Sequence, residues 1–479
     1  MTISFRLLSS IFCAASIACL PYAGAATPPP DQAQAQDAPR PNIVLIMADD
    51  LGYGDLSSYG SPTIQTPNLD NMAAEGMRLT SFYAGQAVCT PSRAALLTGR
   101  YAIRSNMSQV LMPNSDQGLP QSELTLAEIL RGQNYQTAMV GKWHLGDKSP
   151  YLPTDHGFDS YYGLLYSNDM IEPWVMPGMA GLKEIPPLML FRNTTPEKEV
   201  KDQSILTTTY TQEAVDSIKK FEKSQPFFLY MAYSMPHLPV AAPEKFNGKS
   251  GGGLYGDAVT TVDWSVGQIL AALEAKNALD NTIVIFISDN GPWQNLPERM
   301  IQNGVERWHV GNAGAFRGSK ATTYEGGSRV PAIIRWPNTK LHNEISPEPV
   351  YATDLLPTLA SVSGATIPSN VTVDGRDLTS FFEGKTTKVQ KQDFYYFRGD
   401  YVEAVRADKW KLRVSPFNEF SEESAQHDGA VENVELYNLE VDPSERFNVS
   451  DRYPERRDAL MKKLNQFAKE VGAKTYTAP

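Results

Sequence analysis

Cys89-Thr90-Pro91-Ser92-Arg93-Ala94-Ala95-Leu96-Leu97-Thr98-Gly99-Arg100 opens on a thiol and runs straight into an apolar, helix-forming segment. Of three cysteines in 479 residues, Cys13 and Cys19 fall within the first 25, so Cys89 stands alone in the remainder. A lone thiol makes no internal disulfide; it is either an inert buried residue or a chemical centre. Burial is the ordinary reading of a single cysteine. The pattern around this one argues for chemistry.

Outward from that run, four apolar segments each stop at polar or charged residues. Residues 41–48 end in Asp49-Asp50, and 136–140 run into Gly141-Lys142-Trp143-His144. Residues 226–231 lead to Ser234-Met235-Pro236-His237, and 282–287 to Ser288-Asp289-Asn290-Gly291. Short continuous apolar runs suit buried parallel strands. Helical spacing over 124–130, 208–221 and 258–273 falls between them. Strands alternating with helices predict an α/β fold: a large, mostly parallel or mixed sheet sandwiched between helices. Open sheets of this kind bind ligands at strand C-termini, so the four motifs are expected to converge in one cleft.

A further strand is expected over 330–336 and a helix over 353–363. The pattern then changes to short strands at 394–397, 402–407, 410–414 and 434–437, closed by a charged amphipathic helix over 453–470. These predict a smaller C-terminal α+β subdomain on a short antiparallel sheet at 385–479, after a larger domain at 41–384. Residues 1–25 read as a secretory signal: Arg6, an apolar stretch to Leu20, and Ala23-Gly24-Ala25 as a small-residue cleavage site. The stretch is short for a spanning helix, and no other segment qualifies as one. Residues 26–40 form a Pro/Gln/Ala tether. An exported protein of this size with one remaining cysteine fits a bacterial periplasmic or secreted protein.

The net charge of −11, with Arg6 the only charge in residues 1–25, makes the chain acidic. With no basic run, no nucleic-acid partner is expected. Asp49-Asp50 and Asp289-Asn290 offer three carboxylates and an amide oxygen from two strand ends. Hard oxygens suit Ca²⁺ or Mg²⁺, and no soft set for zinc is present. Either pair alone reads equally as an acidic turn.

Cys89-x-Pro91-x-Arg93 with the helix start behind it resembles the signature of the sulfatase family. Gly141-Lys142-Trp143-His144-Leu145-Gly146 resembles the family's second signature, and Gly318-Ser319-Lys320-Ala321-Thr322-Thr323-Tyr324-Glu325-Gly326-Gly327 its Gly-x-Lys-x-Thr-x-x-Glu-Gly-Gly stretch. With Asp49-Asp50, His237 and Asp289-Asn290 in family order, the resemblance spans about 41–336. One departure is Asn134 where the family commonly has Gly; Asn also enters left-handed turns.

The resemblance implies the alkaline-phosphatase-like superfamily fold and hydrolysis of sulfate esters to alcohol and inorganic sulfate. It implies that a formylglycine-generating enzyme oxidises Cys89 to formylglycine (3-oxoalanine), whose hydrate attacks sulfur. Asp49, Asp50, Asp289, Asn290 and an oxygen on the modified Cys89 become ligands of Ca²⁺, with Mg²⁺ the alternative. Arg93 holds the hydrate, Lys142 contacts the sulfate and steadies the nucleophile, and His144 hydrogen-bonds the hydrate. His237 contacts sulfate and serves as general acid for the leaving alcohol, and Lys320 is the second lysine on the sulfate. The substrate is expected to be a sulfated small molecule or carbohydrate. Rival readings are a phosphonate monoester or phosphodiester hydrolase on the same site, a non-catalytic sulfated-glycan-binding protein, and a Cys-His hydrolase using a free thiolate. Trp174, Trp293, Trp308 and Tyr166 are either ring-stacking residues or ordinary packing.

Overall fold

The large sheet contains β1 (Asn42–Ala48), β2 (Met77–Tyr83), β3 (Gln136–Gly141), β4 (Ser160–Gly163), β5 (Met189–Arg192), β6 (Thr195–Glu199), β7 (Phe227–Ala232), β8 (Thr282–Ser288), β9 (Arg329–Arg335), β10 (Glu344–Ser346) and β11 (Val350–Tyr351). Their spatial order is β10-β2-β9-β8-β1-β7-β3-β4-β5-β6, with β11 also on β2. This computed structural model describes residues 40–476 except 177–181, 183, 303, 340, 422–424, 426, 428–430 and 432–433. The expected signal segment and, apart from Arg40, the tether lie outside the described residues.

Strands β1, β7 and β8 are buried end to end, as their unbroken apolar sequences require of parallel strands covered on both faces. Their registers decide where the chemistry goes. Ala48 pairs with Ser288, Met47 with Ala232, and Ala232 with Gly141, so β8, β1, β7 and β3 stop at one level. The four expected motifs begin in the next few residues of each strand. Gly141 is required at its turn: its φ is 110°, and a Cβ there would lie 1.8 Å from the Ala232 carbonyl oxygen.

The longer helices are α1 (Pro67–Ala74), α2 (Cys89–Thr98), α3 (Leu126–Gly132), α4 (Leu206–Lys220), α5 (Gly253–Ala275), α6 (Leu355–Ser363) and α7 (Pro454–Val471). The first six form two packed groups, α1 and α4 with α5, and α2 with α3 and α6. The architecture is the expected mixed α/β sandwich, with some shifted bounds. Helix α3 starts at Leu126 rather than 124 because Thr125 caps it: its hydroxyl accepts from the Glu128 N–H while the Glu128 carboxylate accepts from the Thr125 N–H. Helix α5 starts at Gly253 rather than 258, after a loop whose Gly248, Lys249 and Ser250 N–H groups donate to the Asp257 carboxylate. Strand β2 carries Arg78, Thr80 and Ser81 and β6 is wholly exposed, so neither has an apolar run to announce it.

A second, antiparallel sheet orders β12 (Phe394–Arg398), β13 (Tyr401–Ala407), β14 (Trp410–Arg413) and β15 (Glu435–Asn438), with α7 packed on β13 and β14. Buried charge joins it to the first sheet. Lys411 on β14 sits 3.0 Å from Glu325 and 2.8 Å from Glu445, all three without solvent exposure. Glu325 also accepts from the Tyr83 and Tyr396 hydroxyls at 2.6 and 3.1 Å, and its N–H donates to Glu445 at 2.6 Å. Removing one partner of such a cluster strands the other charges in low dielectric. Lys411→Met is therefore expected to lower the unfolding free energy by about 3–5 kcal/mol. Chemical denaturation measures it, and an unchanged midpoint contradicts the assignment.

Candidate active site

Cys89 is the first residue of α2 and is almost completely buried. Its Sγ lies 3.7 Å from Asp49 Oδ1 and 3.6 Å from Lys320 Nζ. Those two partners come from the end of β1 and from the loop before β9. That loop is clamped from three sides: the Lys320 N–H donates to Pro292, the Ala321 N–H to Ala87, and Arg398 of β12 donates to the Ala321 carbonyl at 2.5 Å. Ala321 has φ 67°, so the clamp holds a left-handed residue beside the lysine.

The rest of the expected set joins the same network. Lys142 Nζ is 2.6 Å from Asp49 Oδ2 and 3.0 Å from Ser167 Oγ. Arg93, one turn along α2 from Cys89, donates to Asp289 at 2.8 and 3.1 Å and to the Lys142 carbonyl at 2.7 Å, and lies 3.5 Å from Asp49. Its guanidinium thus holds carboxylates in place. The Asp50 N–H donates to Asp289 Oδ1, and Asn290 Nδ2 donates to Asp50 Oδ1 at 2.6 Å. Asp50 itself has φ 61°, a strained turn that aims its carboxylate at its neighbours. Lys320 Nζ reaches Asp50 Oδ2 at 3.1 Å and His237 Nε2 at 3.1 Å.

Three carboxylates and three cations therefore share one buried volume. Burial works to raise Asp49, but Lys142, Arg93, His237 and Lys320 together hold it far below the carboxylate range. Burial pushes Asp50 and Asp289 upward, with neighbouring carboxylates adding to the shift in each. Burial also pushes the Cys89 thiol well up, against the pull of Lys142 and Lys320. Both histidines are driven well below their ordinary range, by burial first and then by Lys142 at His144 and Lys320 at His237. Hydrogen bonds fix their tautomers. His237 Nδ1 donates to the Leu238 carbonyl at 2.5 Å, leaving Nε2 as an acceptor toward Lys320. His144 Nε2 donates to the Leu111 carbonyl at 2.9 Å, leaving a buried Nδ1 lone pair with no partner.

The donor set fits a divalent cation. Ligand-type atoms of Asp49, Asp50, Cys89 and His237 lie within 4.8 Å of one another, and Asn290 Oδ1 is buried with no hydrogen bond. A buried amide oxygen left unpaired beside carboxylates lacks only a cation. Beside this cluster opens a cavity of about 860 Å³, lined by Cys89, His144, His237 and Lys320 and, from the C-terminal part of the chain, by residues 397–401, Phe417 and Tyr476.

Sequence reading missed Ser167, which lines the cavity and accepts from Lys142. The signal was there: 161–166 is another apolar run ending in Ser167-Asn168-Asp169, shortened because β4 spans four residues. Trp293 lines the cavity, whereas Trp174, Trp308 and Tyr166 do not. Tyr166 is spent in packing, with its hydroxyl on the Pro187 carbonyl, and Trp308 is exposed on the surface.

Cations gathered about a buried hard-oxygen cluster, at the open end of an α/β sheet, define a hydrolase of anionic esters. The family model described as Sulfatase matches residues 41–365, and one described as N-sulphoglucosamine sulphohydrolase, C-terminal, matches 311–471. Arylsulfatase A of Homo sapiens is 38% identical over 470 residues, covering 92% of this chain and 90% of its own. The solved PsFucS1 sulfatase from Pseudoalteromonas sp. superposes with TM-score 0.78 at 28% identity, covering 91% of this chain and 92% of its own. Ps i-CgsB, solved in complex with k-i-k-neocarrahexaose, gives TM-score 0.74 at 30% identity, covering 90% and 93%. The chain belongs to the sulfatase family and is a sulfuric ester hydrolase. Among the described residues, no helix is long and apolar enough to cross a membrane.

A buried thiol with a raised pKa is a poor nucleophile. Unoxidised Cys89 in native protein lacking residues 1–25 is expected to resist Ellman's reagent at pH 8 and to react on unfolding. Prompt reaction in the native state contradicts this and favours a thiolate enzyme.

Proposed function

We propose that sulfate ester hydrolysis takes place at Cys89 after its oxidation to formylglycine, beside a Ca²⁺ ion held by Asp49, Asp50, Asp289 and Asn290. The observation that carries the reading is the unpartnered Asn290 Oδ1 among three buried carboxylates, next to the one thiol of the cavity. When present, the cation polarises a sulfate oxygen and the aldehyde hydrate supplies the attacking hydroxyl.

The chain's own groups do the rest. Lys142 and Lys320 turn from Asp49 and Asp50 toward the sulfate oxygens and spread the charge that develops on them. Arg93 keeps Asp289 and Asp49 fixed, so the cluster does not rearrange as charge moves. His144, with Nε2 committed to Leu111, presents Nδ1 to accept a proton from the side chain at 89. His237 keeps its Nδ1 proton on Leu238, and its Nε2 carries the proton for the departing alcohol once Lys320 has swung to the sulfate. Burial and Lys320 hold this imidazole neutral in the resting site; when Lys320 moves to the entering anion, Nε2 takes up a proton from solvent, the substrate's negative charge offsetting the cost of burial.

Residues 1–25 are proposed to direct export of a bacterial periplasmic or secreted enzyme, and a formylglycine-generating enzyme to act on Cys89 during maturation. The substrate class is a sulfated small molecule or carbohydrate. A deprotonation-resistant thiol speaks against the Cys-His alternative.

In active protein, mass spectrometry of the peptide holding position 89 is expected to find the aldehyde in place of the thiol. Cys89→Ala is expected to cut sulfate release from 4-nitrophenyl sulfate by about 10³-fold or more. Active protein with a full complement of thiol, or faster release of phosphate than sulfate from the same alcohol, refutes the reading. Dialysis against a chelator is expected to abolish turnover and Ca²⁺ to restore it; undiminished activity of metal-free protein rules out the cation.

A further inference from the structure

Three side chains lining the active-site cavity carry polar atoms that nothing described in the protein satisfies, and the proposed chemistry uses none of them. Asp169 is 6% exposed; Ser167 hydrogen-bonds its carboxylate, and its Oδ1 has no partner. Gln86 and Trp293, each 4% exposed, have an amide nitrogen and an indole nitrogen without acceptors. They come from three different loops: before α2, after β4 and after β8. Buried polar groups are normally paired, and three orphans around one cavity point to an absent partner.

Each is held in place. Asn168, beside Asp169, exchanges two hydrogen bonds with Gln203, at 2.8 Å from its Nδ2 and 2.9 Å to its carbonyl. Trp293 lies with its ring 4.6 Å from Lys320 Nζ and 5.5 Å from the His237 ring. Gln86 precedes Ala87, whose carbonyl accepts the Ala321 N–H at 2.8 Å. Rigid loops make these groups preorganised.

Their chemistry selects a ligand. Asp169 stands near Lys142 and Lys320, which oppose the upward push of burial on its carboxyl. A second anionic group on the substrate would meet repulsion there; a hydroxyl would donate to the carboxylate and accept from the two N–H groups. Hydroxyls on adjacent carbons meet all three demands, whereas the ring of an aryl or steroid sulfate offers none. We infer that Asp169, Gln86 and Trp293 are the specificity-determining residues for a sulfated sugar, with Asp169 accepting a hydrogen bond from a ring hydroxyl next to the sulfate ester. This rests on the sulfatase reading above and names the substrate class for that site.

A site built around a hydroxyl discriminates strongly against a ligand lacking it, because its own polar groups are then left unpaired. The test measures kcat/KM for sulfate release from a panel of galactose, glucose, fucose and N-acetylhexosamine monosulfates, and from 4-nitrophenyl sulfate as the aryl comparator. The wild type is expected to favour one sugar sulfate over the aryl ester by at least about 100-fold, and to lose about 100-fold on that sugar's deoxy analogue at the neighbouring position. The deoxy comparison needs no variant, so it stands even if a substitution impairs folding. Asp169→Ala is expected to reduce the sugar-to-aryl ratio by about 30-fold or more and to make the parent and deoxy sugars equivalent. A deoxy analogue turned over as fast as its parent, or sugar and aryl rates falling in proportion in Asp169→Ala, overturns the assignment while leaving the sulfatase reading intact. Release of sulfate from none of these compounds overturns both.

Discussion

The common level at which β8, β1, β7 and β3 end is the constraint on which the molecule depends. Because Ala48, Ser288, Ala232 and Gly141 are in register, residues as many as 240 positions apart emerge side by side. That alignment forces Asp49, Asp50 and Asp289 into one buried volume, where three carboxylates repel unless cations separate them. Arg93, Lys142 and Lys320 supply the balance, each from a different element. A shift of one residue in any of these ladders would send its polar end into the opposite face of the sheet.

The same electrostatics explains why the cluster is poised. Charge neutrality holds with both lysines paired to carboxylates, so either an arriving cation or an arriving anion changes the pairing. In the proposed reaction a cation among the carboxylates would take over Asp49 and Asp50, and the anionic sulfate ester would draw Lys142 and Lys320 toward itself. On that reading, binding of metal and binding of substrate would be coupled through the same two ion pairs, with Arg93 as the fixed element.

Much of this was legible in the sequence. The central strands are the unbroken apolar runs, and the ten expected site residues all fall in or directly beside the network. Asn134, standing where the family has glycine, does adopt a left-handed φ of 66°. What the sequence hid follows from physics that one dimension does not carry. Strand β2 pairs antiparallel with β9 although its residues alternate poorly, because tertiary partners override local pattern. The role of Arg93 as a holder of carboxylates depends on the direction of a side chain from the helix. Glu325 stands in a recognisable stretch, yet its partner Lys411 lies on a distant short strand and gives no sign of burial. Ser167 and Asp169 follow a strand too brief to stand out.

The second sheet completes the site as well as the fold. Lys411 and Arg413 grip the segment Thr323-Tyr324-Glu325, and Arg398 grips Ala321, so the loop presenting Lys320 is set from both sides. The most direct test of the whole account is anomalous X-ray scattering from crystals of the mature protein grown with Ca²⁺. A single strong peak bounded by Asp49, Asp50, Asp289 and Asn290 Oδ1, with Lys320 displaced from Asp50, is the predicted result. Saturating Ca²⁺ that leaves this cluster without a peak, its ion pairs unchanged, would contradict it.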